Sequence, residues 1–298
     1  MPKITTTSGG CFIDGMGNEA YHLPSNGAST STIKDFMKDP ASVVWGRNAP
    51  QDKSKMPAID FGTDFHAYFL EPEEFKKNYK VLPTFNRRKA DEKQAELDLI
   101  AEWDKQGIIA VTDEDFKKLE HMRLSAMAHP TVNAVMNLKN GIAERSFFWE
   151  DEQTGLRCKC RPDWLVTGIT DDNRPPFMPS DCDTLVMDIK TIAGLDRVQA
   201  QIENFKYYVQ DPFYTQGVQA VTQGKVCFLF VFVSTTLAIG RYPVQPVLLN
   251  DVAVFDGKRE IADAMPKYAE MLKASESVWQ TVITMDRPSW ATREEDLM

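Results

Sequence analysis

Cysteine is scarce: five in 298 residues (Cys11, Cys158, Cys160, Cys182, Cys227), an odd number with no C-x-x-C pair. That excludes a disulfide scaffold and a cysteine-held zinc or iron–sulfur centre, and it suits a reducing cytoplasm. Long hydrophobic runs are missing too. The longest, Val226 to Val233, falls far short of the roughly 20 residues that span a bilayer, so no membrane partner is expected. Met1 to Ser8 is polar and threonine-rich and does not read as a signal peptide. Positive charge is in deficit, with 34 Lys and Arg against 43 Asp and Glu, a net −9. Whole-surface attraction to phosphate is thereby excluded, and any nucleic acid would have to meet a restricted basic track. No repeat or low-complexity stretch occurs. What remains is a globular composition, 43% hydrophobic and 26% charged, long enough for one large domain or two modest ones.

The texture changes near residue 140. Before it, Ser31 to Lys38, Asp60 to Leu70 and Asp113 to Leu138 read as helices. In the third, Thr112 is the expected N-cap, Phe116, Leu119, Met122 and Leu124 form the apolar stripe, and Pro130 should break it. After it, Ser146–Glu150, Leu156–Val166, Thr184–Thr191, Val226–Val233 and Leu237–Val244 read as strands, the first two joined by a turn over 151–155. Asp196 to Thr222 is long enough for a crossover helix, and Asp256 to Trp279 reads as another helix, bent by Pro266. The loop Gly168 to Asp183 is acidic and expected to be solvated and mobile. The expected fold class is α/β (α+β): a mixed central sheet flanked by helices, with an N-terminal helical layer over about 21–140 and a core over about 141–285. Residues 1–20 are set apart as a flexible segment.

Two short strings carry the chemistry: Arg161-Pro162-Asp163 and Asp188-Ile189-Lys190, with 24 residues between the two Asp. On a strand Asp188 and Lys190 share a face and Ile189 takes the other. Two carboxylates from adjacent strands make a hard oxygen site for Mg²⁺ or Mn²⁺, and a lysine beside it can orient a water near a phosphate. A lone D-x-K is common on solvated strand faces. Here it follows apolar Leu185-Val186-Met187, is preceded by P-D on another strand, and has Glu144 as a further acid. The pattern is that of a phosphodiester hydrolase.

P-D…D-x-K is the signature of the PD-(D/E)XK nuclease superfamily, and longer strings resemble the C-terminal nuclease domain family of RecE (exonuclease VIII) and its phage-borne relatives. They include Tyr21-His22, Ser29-Thr30-Ser31, Asn48-Ala49-Pro50, Gly62-Thr63-Asp64-Phe65-His66, Leu70-Glu71-Pro72-Glu73-Glu74-Phe75 and Phe85-Asn86-Arg87-Arg88. Trp149-Glu150-Asp151, Cys158-Lys159-Cys160-Arg161-Pro162-Asp163, Asp188-Ile189-Lys190-Thr191, Tyr208-Val209-Gln210-Asp211 and Phe213-Tyr214 continue the series.

The resemblance implies that His66, Asp163, Asp188 and the backbone carbonyl of Ile189 ligate the metal, with Glu144 a weaker candidate. It implies two Mg²⁺ ions per site, replaceable by Mn²⁺, and Lys190 as the residue that positions and activates the attacking water. Gln210 and Tyr214 match a Q-x-x-x-Y helix lining the site. Pro212 between them should kink that helix, or restart it with Asp211 as N-cap. Ser29 and Ser31 are implied at the 5′ phosphate, or else cap a helix; Lys159 and Arg161 are implied along the scissile strand. Arg87 and Arg88 belong to a basic stretch, Lys76 to Lys89, which is either a DNA-facing track or a solvated face. The implied activity is 5′→3′ digestion of linear double-stranded DNA, leaving 3′ single-stranded tails for recombination. The implied assembly is a ring-shaped homo-oligomer, tetrameric or trimeric, working in a bacterial cytoplasm with a RecT-type single-strand annealing protein.

Overall fold

Two strands buried on both faces organise the molecule. The computed structural model of the chain describes residues 2–23, 27–45 and 56–274. Its strands are β1 Lys3–Thr7, β2 Gly10–Asp14, β3 Tyr79–Val81, β4 Ile109–Val111, β5 Gly141–Ala143 and β6 Ser146–Glu150. They continue with β7 Arg157–Cys160, β8 Trp164–Thr167, β9 Thr184–Ile192, β10 Val226–Ser234 and β11 Val244–Val247. The helices are α1 Asn18–His22, α2 Thr30–Lys38, α3 Pro40–Trp45, α4 Met56–Leu70, α5 Pro72–Asn78 and α6 Ala90–Lys105. After them come α7 Asp113–Ala128, α8 Pro130–Met136, α9 Val198–Asn204, α10 Tyr207–Thr222 and α11 Asp251–Lys273.

β9 and β10 run parallel at the centre of a five-stranded sheet ordered β11-β10-β9-β8-β5, with the other neighbours antiparallel. Near-continuous apolar sequence is what a doubly covered parallel pair requires. α9 and α10 supply the crossover between them. One face packs with α2, α10 and α11 around Ile33, Val209, Phe213, Phe230 and Phe232; the other packs with α4, α7 and α8 around Phe65, Leu119, Met122, Met187 and Ile189. The fold is thus mixed α/β, sheets flanked by helices. Among the described residues no helix is long and apolar enough to cross a membrane.

Several elements depart from the sequence expectation. The single strand expected over Leu156–Val166 is two, and they belong to different sheets: β7 closes a four-stranded sheet β1-β2-β6-β7, whereas β8 joins the central one. Buried Pro162 lies at the change, where a residue without an N–H cannot continue a ladder. The strand expected over Leu237–Val244 starts only at Val244, because Ala238 and Arg241 close a tight turn through Ile239 and Gly240, both at positive φ. The first twenty residues contribute β1 and β2, with β2 paired to β6. Pro130 does end α7, but Leu124 is solvent-exposed rather than in the stripe. The 168–183 loop turns its acids outward while Ile169, Met178 and Cys182 anchor it in the core. The end of the helix expected to reach Trp279 lies outside the described residues, as does Asn48-Ala49-Pro50.

α10 brings one buried charge with it. Asp211 accepts a bond from Thr215 Oγ1 at 3.2 Å, and burial pushes its pKa up to about 6. Because the folded-state value lies above the ordinary one, ionising Asp211 opposes folding; the cost is absent below about pH 4 and complete above about pH 6. Asp211→Asn is therefore expected to stabilise the protein by about 2–3 kcal/mol at pH 8 and by almost nothing at pH 4. Urea unfolding at the two pH values measures the difference.

Candidate active site

Strand register brings the acids together. Ala143 stands opposite Trp164 in the β5–β8 pair, and Trp164 opposite Met187 in the β8–β9 pair. One residue past these partners lie Glu144, Asp163 and Asp188, a row of carboxylates set just after β5, just before β8 and midway along β9. The Glu144 N–H donates to the Asp163 carbonyl at 3.2 Å, and Glu144 holds φ +51°, a conformation disfavoured without glycine. Asp188 and Lys190 project from one face of β9, while Ile189 is buried on the other among Phe65, Met187 and Val231.

From that other side α4 delivers His66. Its Nδ1 pairs with the Gly62 carbonyl at 2.7 Å, and its Nε2 lies 2.8 Å from the Ile189 carbonyl and 3.0 Å from Asp163 Oδ2. The same Asp163 oxygen accepts the Ile189 N–H at 2.6 Å. Burial disfavours a charged His66, but Asp163 and the Gly62 carbonyl outweigh it and lift its pKa to about 10. Burial likewise opposes ionisation of Asp163, yet His66, Lys190 and the Ile189 N–H hold its pKa below the ordinary value.

Asp188 is almost wholly buried. Its Oδ2 accepts from Gln210 Nε2 at 2.6 Å, and its Oδ1 meets the Lys190 ammonium. Burial, joined by the charge of Asp163, raises its pKa against the pull of Lys190. For Lys190 burial is overcome by Asp188 and Asp163, which hold its pKa above the ordinary lysine value. Lys190 is thus a fixed cation, able to donate to a water or a phosphate oxygen and not to accept a proton at neutral pH. Glu144 pairs with Arg161 Nε at 2.8 Å; burial and Asp163 nevertheless push its pKa up to about 7.

The Q-x-x-x-Y helix is continuous, neither restarted nor capped at Asp211. Pro212 sits inside α10, with Lys206 as the left-handed residue before it. Gln210 is therefore a helical residue and bonds to the acid cluster, while Tyr214 packs edge-on against Phe228. Ser29, not Ser31, is the N-cap of α2, in a capping box with Thr32; Ser31 is exposed in the first turn. Lys159, expected along the scissile strand, is buried and donates to the carbonyls of Tyr21 at 2.7 Å and Leu23 at 3.0 Å. It fastens the N-terminal segment to β7. Arg161 is engaged by Glu144 and by Asn18 Oδ1 at 2.6 Å, and lies over the Tyr21 ring. Arg87 forks onto Glu96, and Arg88 is exposed on the same loop. Lys76, Lys77 and Lys89 pair with Glu73, Glu74 and Glu92, so most of the basic stretch is neutralised by its own neighbours.

The sequence reading passed over Tyr207. Its ring centroid lies 5.0 Å from Lys190 Nζ and 5.7 Å from Lys34 Nζ. Positions 207, 210 and 214 follow i, i+3, i+7 spacing, a signal that would have put Tyr207 on the same helical face as Gln210.

Among the described residues no three His, Cys, Asp or Glu side chains form a ready-made metal cage. The donor set here depends on a main-chain oxygen instead. With Nδ1–H tied to Gly62, a neutral His66 aims a lone pair at Asp163 Oδ2 and the Ile189 carbonyl, three electron-rich atoms that need a positive charge among them. An imidazolium proton answers that need in this arrangement; a divalent ion can answer it by displacement. One imidazole and hard oxygens suit Mn²⁺ and Mg²⁺. His66 keeps a quarter of its side chain exposed, which gives an ion access from solvent.

Comparisons with known proteins agree with this architecture. The family model described as a PDDEXK-like domain of unknown function (DUF3799) matches residues 29–277. None of the curated proteins compared with the chain matches it. Among solved structures, a Eubacterium rectale protein provisionally named an exonuclease aligns over 92% of this chain and 96% of its own, with TM-score 0.56 and 13% identity. That likeness shows the fold. A second, SSO0001, aligns over 72% of this chain and 87% of its own at 14% identity, with a TM-score of 0.28 that carries no argument.

Proposed function

The chain belongs to the family of the PDDEXK-like domain of unknown function (DUF3799), and on that premise we propose that it is a metal-dependent exonuclease of the RecE type, digesting linear double-stranded DNA from its 5′ ends. The observation that carries the reading is the meeting of Asp163 just before β8, Asp188 and Lys190 within β9, and His66 from α4, around a half-open, electron-rich centre.

Asp163, His66 and the Ile189 carbonyl would hold the divalent ion, with Asp188 and Glu144 beside it. Mg²⁺, when bound there, supplies Lewis acidity at the scissile phosphate. The chain's own residues do the rest. Lys190, fixed as a cation, orients the attacking water and offers positive charge where the phosphorane gathers negative charge. Gln210 holds Asp188 in its rotamer, so one carboxylate oxygen stays on Lys190. The Gly62 carbonyl fixes the tautomer and ring plane of His66. Arg161, drawn onto Glu144, offsets part of the negative charge of the site.

The same family resemblance carries the finer parts of the proposal: 3′ single-stranded tails, a ring-shaped homo-oligomer threaded by DNA, and a RecT-type annealing partner. With Mg²⁺, the protein is expected to release label from the 5′ ends of linear duplex and to leave covalently closed circles intact. Nicking or degradation of closed circles would replace the exonuclease by an endonuclease. Release from 3′ ends first would reverse the polarity.

A further inference from the structure

An aromatic stack runs out of the core beside Lys190 and ends in solvent. Phe228 and Phe230 lie 4.7 Å apart between ring centroids; Tyr207 stacks on Phe230 at 5.6 Å; Phe205 stacks on Tyr207 at 5.8 Å with the rings 18° from parallel. Phe230 is fully buried and Phe205 is 54% exposed. Phe255 on α11 is the other phenylalanine more than half exposed among the described residues, and it continues no such stack. Burial in the folded chain does not account for the exposed Phe205 ring.

Phe205 is also held still. It lies in the sharp corner between α9 and α10, where Lys206 adopts φ +49° and ψ +51°. The Lys206 ammonium donates to Glu260 at 2.8 Å and to the Tyr208 hydroxyl at 3.0 Å, locking that strained residue. The Phe205 N–H donates to Gln201, and its carbonyl accepts from Lys34 Nζ at 2.9 Å. Lys34 therefore spends its charge on a neutral carbonyl, and no ion pair engages it among the described residues. It stands over the same Tyr207 ring as Lys190. Burial and the charge of Lys190 pull its pKa down to about 8, so a nearby anion would be favoured.

We propose that Phe205, Tyr207 and Lys34 form a nucleotide subsite: an unpaired base of the strand being cut stacks on Phe205, and its phosphate takes the Lys34 ammonium. An exposed aromatic ring for the base, with a cation close by for the phosphate, is the combination that binds single-stranded nucleic acid without reading its sequence. A base inside an intact duplex has both faces covered, so the subsite is reached only from a duplex end, where fraying frees the base. That requirement favours an enzyme working from termini. The inference rests on the nuclease reading and deepens it.

Steady-state digestion of linear duplex by the parent protein, Phe205→Ala, Phe205→Tyr and Lys34→Gln tests it. Phe205→Ala is expected to raise KM about tenfold or more, with kcat nearly unchanged and the same melting temperature. Phe205→Tyr should restore the parent KM. Abasic residues at the two terminal nucleotides should weaken the parent enzyme to the level of Phe205→Ala and weaken that variant no further. Lys34→Gln should lower the slope of log KM against log salt by about one. A parent protein that cleaves DNA while Phe205→Ala matches it, or loses only kcat or thermal stability, overturns the subsite and leaves the nuclease reading standing. A parent protein that cleaves no DNA overturns both.

Discussion

Replacing Asp188 with Asn is expected to lower the rate of phosphodiester hydrolysis by on the order of 10²–10³-fold or more while leaving the protein folded. The two halves of that expectation have different causes. Asp188 is 2% exposed, beside a second carboxylate, and its ionised form is the one burial penalises. An amide of the same shape removes that penalty and the repulsion from Asp163, so stability should hold. What disappears is the negative charge that fixes Lys190 and helps attract the cation. Lys190→Met should behave differently. It leaves the Asp188 carboxylate buried against an apolar chain, and stripping one partner from a buried pair costs about 3–5 kcal/mol. Activity should fall in both variants; a drop in melting temperature belongs to Lys190→Met alone. Turnover on labelled duplex and thermal unfolding, measured on both proteins, separate the two effects.

The second large effect lies away from the acids. A Cβ added at Gly257 would sit 1.8 Å from the Tyr208 carbonyl oxygen and 2.9 Å from the Pro212 ring. The geometry follows from Pro212. Lacking an N–H, it cannot bond the carbonyl four residues back, so α10 leaves the Tyr208 oxygen free of its usual helical donor, and α11 approaches there on a glycine. Since both obstacles are backbone or a rigid ring, Gly257→Ala must move one helix. The expected cost is about 3 kcal/mol, at the upper end of overpacking. Displacing α10 should also disturb the Gln210 bond to Asp188, so residual activity should fall along with stability. Gly257→Ala with parent-like melting and turnover would show that the two helices slide apart freely, contrary to this packing.

Much of the site was legible because it depends on local period and a single register. Alternation along Leu185–Lys190 assigned Asp188 and Lys190 to one face, and a P-D on the neighbouring strand supplied the second acid. The sequence cannot state that register; the partners of Trp164 decide it. The expected strand Leu156–Val166 ignored what Pro162 does to a ladder, and two sheets meet at that point. The family resemblance implies Lys159 along the scissile strand, but two carbonyls of the N-terminal segment claim it, a long-range partnership no local pattern encodes. β1 is short and polar, and β2 is short and partly buried at every position, so neither alternates enough to give a signal. Pro212 looked like a helix boundary because its cost in isolation is about 3 kcal/mol, which the fit of α10 against α11 offsets. Tyr207 and Lys34 were passed over because their importance comes from a neighbour, Lys190, on another element.

The most direct measurement of the central claim is the metal dependence of the reaction on end-labelled linear duplex. The parent protein, stripped with EDTA and then given Mg²⁺ or Mn²⁺, should be inert before addition and active after it. His66→Ala and Asp163→Asn should need far more metal to recover any rate, because they remove the nitrogen that faces the Ile189 carbonyl and the carboxylate beside that nitrogen. Digestion that proceeds at the parent rate in EDTA, or that is indifferent to both substitutions, would contradict the assignment of this centre.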